Sequence, residues 1–381
     1  MTAVPCCLAC SGERLKPIVD LGNVPVLNGV MFPERELAKA AVMGPIDLAA
    51  CHDCGHASNV AFDSTLIDYD VEYDNSLHFS PTFQNYADQL AARLVATYDL
   101  RGRRIVEIGS GKGDFLATIT SLCGGTGIGY DPSTMPDREI PGVRLVSDYY
   151  RPGQDVEPYA LLVCRHVLEH LDDPWIILRS LRDAASAGAV HYLEVPAAEF
   201  DFSPAGMWDI VYPHVSYFSQ SSLHTLLRRC GFEIAASGRS FAGQYHWVEV
   251  RAGNVDMVTS DPSAHLATLA DFGQRRAKAV EQWRGYLQDR SERDEGIALW
   301  GAGSKGVGFL NAVDPELRLC VVDLNPRKWR RFLPGTGHEV IAPSALTDRN
   351  VTAVLITNPA YREEIGEQLA ELGVHAEIVD V

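Results

Sequence analysis

Apolar and polar positions alternate in three different styles along the chain. Residues 1–60 carry only short apolar runs, such as Pro17-Ile-Val-Asp-Leu21, set among Cys, Pro and Gly. That pattern suits a small sheet held by a metal better than a self-sufficient core. A polar and aromatic connector, Tyr73-Asp-Asn-Ser-Leu-His-Phe-Ser80, leads into a stretch from Phe83 to about Tyr98 whose apolar residues recur at helical spacing. From Arg104 to about Ala252, compact apolar runs alternate with amphipathic ones. Arg104–Ile108, Thr126–Tyr130, Ala160–Cys164 and Val190–Val195 predict strands, and Pro174–Ala184 and Gln220–Cys230 predict helices between them. Such alternation implies a mostly parallel sheet with ligands at its carboxyl edge.

Residues 256–290 read as one or two charged helices (Ala264 to Gln288) forming a connector with an exposed face. A second alternating unit starts at Ile297-Ala-Leu-Trp300 and continues through Cys320-Val-Val-Asp323 and Val354-Leu-Ile-Thr357. A length of 381 residues fits two or three domains. The boundaries expected are 1–70, 71–255 and 256–381.

A formal net charge of -17 argues against a protein that coats nucleic acid, which needs a basic surface. The start of the chain lacks a signal peptide's basic region and apolar run, and no apolar run reaches the roughly 18 residues of a membrane span. These features predict a cytoplasmic protein with a small-molecule partner and no membrane or nucleic-acid partner. Thiols stay reduced there, and paired cysteines are more often metal ligands than disulfides.

Cys7-x-x-Cys10 and Cys51-x-x-Cys54 are two such pairs. Each turn offers two thiolates, and four make the closed tetrahedral set of a structural zinc site. Four unrelated buried thiols are the alternative. Cys6 is an adjacent competitor, while His52 and His56 read as bystanders.

Gly109-Ser-Gly-Lys-Gly113 follows a strand and opens a helix. Missing side chains let a cofactor approach the backbone, and a helix start suits a carboxylate or phosphate. The next strand ends at Asp131, an acid placed to accept ribose hydroxyls. This layout fits a dinucleotide or S-adenosylmethionine. With Glu107 inside the strand, the motif Glu-x-Gly-x-Gly-x-Gly resembles motif I of class I methyltransferases more than the dinucleotide fingerprint. That resemblance implies that Glu107, Gly109, Gly111, Gly113 and Asp131 hold S-adenosylmethionine. It also places Asp148 near the adenine and Arg165, at the end of the following strand, in the cofactor region.

His170 and His214 fall beyond strand ends near this edge, and Tyr212 stands two residues before His214. A histidine neutral near pH 7 can take a proton from a nucleophile. His214 is the candidate base, with His170 and Tyr212 placing the acceptor. Tyr217 and Phe218 read as pocket wall.

Over nearly its whole length the chain resembles the three-part deoxysugar C-methyltransferases that act on nucleotide-linked keto sugars. The resemblance rests on the cysteine pairs with Val19-Asp-Leu-Gly-Asn-Val-Pro25 between them, motif I, and His214 followed by aromatics. It extends to Trp300-Gly-Ala-Gly-Ser-Lys-Gly306, Val322-Asp323 and Leu333-Pro-Gly-Thr336. It implies an α/β protein with a small N-terminal zinc-binding domain, a class I methyltransferase Rossmann-like central domain and a C-terminal Rossmann-like domain closing the substrate cleft. Family members that methylate carbon carry Tyr-x-Glu-His, where this chain reads Val211-Tyr-Pro-His214. The histidine is kept and the glutamate replaced, so carbon, oxygen and nitrogen acceptors all stay open. The resemblance further implies substrate contacts from Tyr73 and Asn75, and a substrate phosphate at Lys305.

Two readings from other classes stand beside this one. The turn Gly301-Ala-Gly-Ser-Lys-Gly306, with Asp323 ending the next strand, could serve an NAD-dependent oxidoreductase. A zinc-containing binding protein with a vestigial methyltransferase fold is the other.

Overall fold

A computed structural model describes residues 6–69, 72–74, 76–135, 137–151, 153, 157–253, 261–316 and 318–381. Asn75 lies outside the described residues.

The central unit forms where the sequence predicts strands. Arg104–Ile108, Thr126–Tyr130, Val143–Val146, Leu161–Arg165 and Val190–Pro196 pair in parallel, and Tyr245–Ala252 joins the last of these antiparallel. Phe232–Ser240 closes that edge, giving seven strands. Alternate side chains of each buried strand enter different cores. Ile105, Leu161 and Val163 pack with Leu90 and Leu94 of the helix Pro81–Tyr98. Val106, Leu162 and Cys164 pack with Leu178 and Leu226 of the helices Pro174–Asp183 and Gln220–Arg229. A sheet covered on both faces explains why these strands read as continuous apolar runs rather than alternating ones.

The N-terminal unit is a four-stranded sheet of Leu15–Pro25, Met43–Cys51, Ala57–Asn59 and Ser216–Tyr217. Its last strand comes from the central segment, two residues past His214, and pairs Tyr217 with Ala57. The expected boundary near residue 70 is therefore crossed by a strand.

The C-terminal unit is a five-stranded parallel sheet ordered Val340–Ile341, Cys320–Val322, Gly296–Trp300, Val351–Ile356, Glu377–Asp380. The connector forms helices Ser263–Leu269 and Phe272–Glu292. The longer helix buries Phe272 and Leu287 in one core shared by Ile46 and Leu48 of the first sheet and Leu299 and Val307 of the last unit. A glycine lets two of these units approach closely. A Cβ on Gly308, in the helix Ser304–Val313, would lie 2.4 Å from the Trp208 carbonyl oxygen. The segment that leads to His214 is thereby clamped between units, with Trp208 edge-on to Phe309 at 5.1 Å.

Candidate functional site

The first glycine turn is shaped for close approach. Gly109, Gly111 and Gly113 have φ of 71°, 53° and 85°, a region that favours glycine. A Cβ on Gly109 would come within 2.2 Å of Val167 Cγ2, whereas one on Gly111 would meet nothing within 4 Å. Gly111 therefore presents bare backbone on an open side. Asp131 ends the neighbouring strand and accepts from the Gly111 N–H (2.9 Å) and the Ser133 N–H (2.7 Å). The acid is thus oriented by the turn it faces. Glu107 lies beneath, buried, with its Oε2 unpartnered, and burial pushes its carboxyl up to about 8. From the connector, Ser76 donates to Asp114 Oδ2 at the helix start (3.2 Å), and His78 is bonded to Gln84 (2.7 Å). Asp148 lies half-buried just past Val143–Val146 and pairs with Arg151.

Arg165 is used differently from the sequence expectation. Its Nε donates to Glu194 Oε1 at 2.9 Å, both side chains are buried, and the guanidinium lies over the Phe115 ring. Glu194 also accepts from Tyr192 (2.7 Å) and from Tyr86, and is held well below the usual carboxylate range, Arg165 overriding the effect of burial. A guanidinium committed in this way braces the sheet edge through Glu194.

Past the same edge the structure brings His170 and His214 together, their rings edge-to-face with centroids 5.0 Å apart. Burial lowers both to about 4, so both are neutral near pH 7. His170 Nδ1 lies 2.9 Å from the Pro213 carbonyl and 3.0 Å from the Tyr69 hydroxyl. His214 Nδ1 is buried with no partner. Tyr69 meets His170 edge-on (5.9 Å) and Tyr73 edge-on (4.9 Å), so a tyrosine the sequence reading passed over joins one it singled out. Glu169 and His166 complete the group, with His166 Nδ1 3.7 Å from Glu169 and its Nε2 3.4 Å from Glu194. Burial works against the His166 charge, but the two carboxylates outweigh it and push the ring up to about 9. His166 is held at φ 55°, a strained backbone for a non-glycine residue.

Tyr212 is elsewhere. It is fully buried, stacked on Phe62 (5.3 Å), and its hydroxyl is exchanged with the Asp63 main chain at 2.9 and 3.1 Å. Gly44 must lack a side chain to admit it. The expectation that Tyr212 places the acceptor is corrected: it locks the N-terminal sheet to the His214 segment.

The four cysteines converge. All their Sγ atoms lie within 4.8 Å of one another, and Cys7–Cys54 and Cys10–Cys51 are each 3.6 Å apart. Those spacings match the edges of a tetrahedron around an ion about 2.3 Å from each sulfur. N–H groups of Ala9, Gly12 and Asp53 point at the sulfurs of Cys7, Cys10 and Cys51, each at 3.4 Å. Such donors stabilise thiolate charge. His56, although buried beside them, has neither ring nitrogen bonded.

The second glycine turn differs from the first. Asp323 accepts from the Ala302 N–H (2.7 Å) and Asn325 N–H (2.8 Å), as Asp131 does from its own loop. In addition the Lys328 ammonium lies 3.3 Å from Asp323 and 3.0 Å from the Ala302 carbonyl. An internal cation already neutralises this acid, an arrangement unlike one that receives a ribose. Lys305 Nζ donates to Gln244 (2.8 Å) and lies 3.8 Å from Asp209, over the Phe200 ring. It joins the last unit to the central one, and its expected substrate phosphate would have to compete with Asp209.

The family profile described as a methyltransferase domain matches residues 81–237, and that described as a C-methyltransferase C-terminal domain matches residues 258–376. The chain is 24% identical over 385 residues to the C-methyltransferase NovU of Streptomyces niveus, covering 88% of this chain and 85% of that protein. Among solved structures, 1,6-didemethyltoxoflavin-N1-methyltransferase of Burkholderia thailandensis covers 46% of this chain and 82% of its own (17% identity, TM-score 0.37). An S-adenosylmethionine-dependent methyltransferase of Mesorhizobium loti covers 44% and 99% (15% identity, TM-score 0.36). No helix among the described residues is long and apolar enough to cross a membrane.

Proposed function

We propose that this S-adenosylmethionine-dependent methyltransferase methylates a carbon beside the carbonyl of a nucleotide-linked deoxysugar. The observation that carries the reading is the pair of neutral, adjacent imidazoles, His170 and His214, at the edge of the sheet that bears the Gly111 turn. The curated relative supports carbon over oxygen or nitrogen by its name. Bound at Gly111 and Asp131, the cofactor supplies an electrophilic methyl group.

The chain's part is to hold the acceptor and move one proton. A neutral imidazole of the pair takes the proton from the carbon beside the carbonyl. The C–H electrons pass into an enolate, the carbonyl oxygen takes the charge, and the enolate carbon becomes the methyl acceptor. His214 is the candidate base and His170 its neighbour, while Tyr69 and Tyr73 line the approach. Placing these groups is the main contribution, since methyl transfer needs alignment and a base more than covalent help. Cys7, Cys10, Cys51 and Cys54 would hold zinc with no open position, a structural role.

Full-length protein incubated with S-adenosylmethionine and a panel of nucleotide-linked 4-keto-deoxysugars is expected to yield a product one methylene heavier, with the new methyl on carbon by NMR. The His214→Asn variant is expected to lose roughly 100-fold in kcat or more. A product methylated on oxygen or nitrogen, or a native rate in His214→Asn, would overturn the reading.

A further inference from the structure

Glu169 is the residue the reaction outlined above does not use. It is 1% exposed, yet neither carboxylate oxygen has a hydrogen bond. A buried carboxylate without hydrogen bonds is unfavourable even with the His166 ring 3.7 Å away, unless something nearby gives it a role. It follows the strained His166 and directly precedes His170, so the turn Leu168–His170 fixes it between two imidazoles.

The tautomer of His170 decides what Glu169 faces. The Pro213 carbonyl can only accept a hydrogen bond, so the Nδ1 beside it carries the proton. The lone pair is then on Nε2, and Nε2 is the nitrogen turned to Glu169 Oε1 at 4.0 Å. Lone pair against carboxylate is a poor contact while His170 is neutral. It becomes an ion pair once Nε2 gains a proton.

We propose that Glu169 and His170 form a carboxylate–imidazole dyad that takes over the proton His214 removes from the acceptor, with His166 anchoring Glu169 from the other side. The inference rests on the proposed methyl transfer and deepens it. Methylation of a C–H, O–H or N–H acceptor leaves one proton behind, and the His170 ring lies beside that of His214, the candidate base. His170 is otherwise a weak base because burial disfavours its charged form. Glu169 offsets that penalty at the one nitrogen free to take a proton. Glu169 is thus a positioning residue that acts through His170.

The other groups facing Glu169 leave this assignment intact near neutral pH. Tyr69, Tyr73 and Cys164 are pushed up by burial and stay neutral, and burial raises the Asp201 carboxyl well above its usual range. His214 is neutral as well. The charge opposite Glu169 is His166, itself shared with Glu194.

The test uses 15N-labelled full-length protein saturated with S-adenosylhomocysteine and needs no acceptor. Imidazole NMR is expected to show His170 as the Nδ1–H tautomer at pH 7.5; an Nε2–H tautomer overturns the proposal. As pH falls, the His170 curve of Glu169→Gln is expected to lie about one unit below that of the wild type, and Glu169→Asp to keep the higher position. His166→Gln, which removes the cation across Glu169, should move the curve upward. Superimposed curves in wild type and Glu169→Gln overturn the dyad; if Glu169→Gln does not fold, an unmoved curve in His166→Gln does so. With an acceptor in hand, Glu169→Gln is expected to lose 10- to 100-fold in kcat at unchanged KM, the acidic limb of its rate profile moving to lower pH. Should no nucleotide sugar be methylated, the proposed function fails while the tautomer and titration results still stand.

Discussion

At the scale of single residues, the proposed cofactor side is marked by backbone exposure and one acid. Gly111 leaves a face free of side chains, and Asp131 is oriented toward it by two N–H donors. An Asp131→Asn substitution keeps the size of the group but replaces an ionised acceptor by a neutral one, and hydrogen bonds to charge are worth about 1.5–3 kcal/mol. Affinity for S-adenosylmethionine, measured by calorimetry, is therefore expected to fall about tenfold or more, with little change in thermal midpoint. What was legible here was what is local in sequence: glycines between a strand and a helix, and an acid ending the next strand. Partners across long separations were not. Tyr69 is 101 residues from His170, and no spacing rule connects them. Tyr212 shows the converse, since its closeness to His214 in sequence suggested a shared task while its side chain points into the N-terminal sheet. Arg165 looked available for a cofactor because its partner Glu194 belongs to the next strand, out of reach of any local motif.

Elements couple sites that appear separate in the chain. The cysteine pairs fix the ends of Leu15–Pro25 and Met43–Cys51; the latter pairs with Ala57–Asn59, and that strand with Ser216–Tyr217. His214 lies two residues before this last strand, so an ion held by the cysteines, as proposed, would reach the candidate base through three strand pairings. A Cys54→Ser variant is expected to bind S-adenosylmethionine normally while amides from Val215 to Phe218 exchange with deuterium at least about tenfold faster, since a metal site in a small sheet carries much of its folding energy. Unchanged exchange there would show that the sheet stands without its knuckles. Strands buried on both faces, such as Arg104–Ile108, were readable as dense apolar runs between breakers. Phe232–Ser240 was not, because as an edge strand it is mostly half-exposed and mixed in polarity. Ser216–Tyr217 is a two-residue strand whose partner is far away in sequence, which periodicity does not register.

A second coupling at this scale runs between units. Glu364, in the C-terminal helix Arg362–Glu371, accepts from Ser80 Oγ (2.6 Å) and the Thr82 N–H (2.9 Å), so it caps the central helix Pro81–Tyr98 from another domain. Caps of this kind are worth about 1 kcal/mol, and the charge suits the helix N-terminus. Glu364→Ala is expected to lower stability in urea by about that amount and to speed exchange in the first turn of that helix.

The whole molecule carries its buried charges in a way that fixes where it is most stable. His170, His191 and His214 are each lowered by burial to about 4, so the unfolded chain binds protons there that the folded chain refuses. Stability from these groups is present above pH 6.5 and lost as pH falls from 6.5 through 4, by at most about 3 kcal/mol each. Glu107 works in the opposite sense. Burial raises its carboxyl to about 8, so folding keeps it protonated while the unfolded chain ionises, and stability is lost as pH rises from about 4.5 to 8. Asp201 adds to that alkaline loss, and His166, raised to about 9 by its carboxylates, gives stability that is present below 6.5 and disappears toward 9. The two families of groups cross near pH 6.5. Urea midpoints of the cofactor-free protein are therefore expected to peak close to that pH and fall on both sides. Glu107→Gln removes an alkaline shift larger than that of His166 without changing the size of the side chain. It should flatten the limb between pH 6.5 and 8, retaining up to about 2 kcal/mol that the wild type loses there, and should steepen the acid limb above pH 4.5, where the Glu107 loss no longer opposes the histidine gain. An alkaline limb as steep in Glu107→Gln as in the wild type would mean that the carboxyl is already ionised in the folded protein, with the Arg165 guanidinium overcoming its burial.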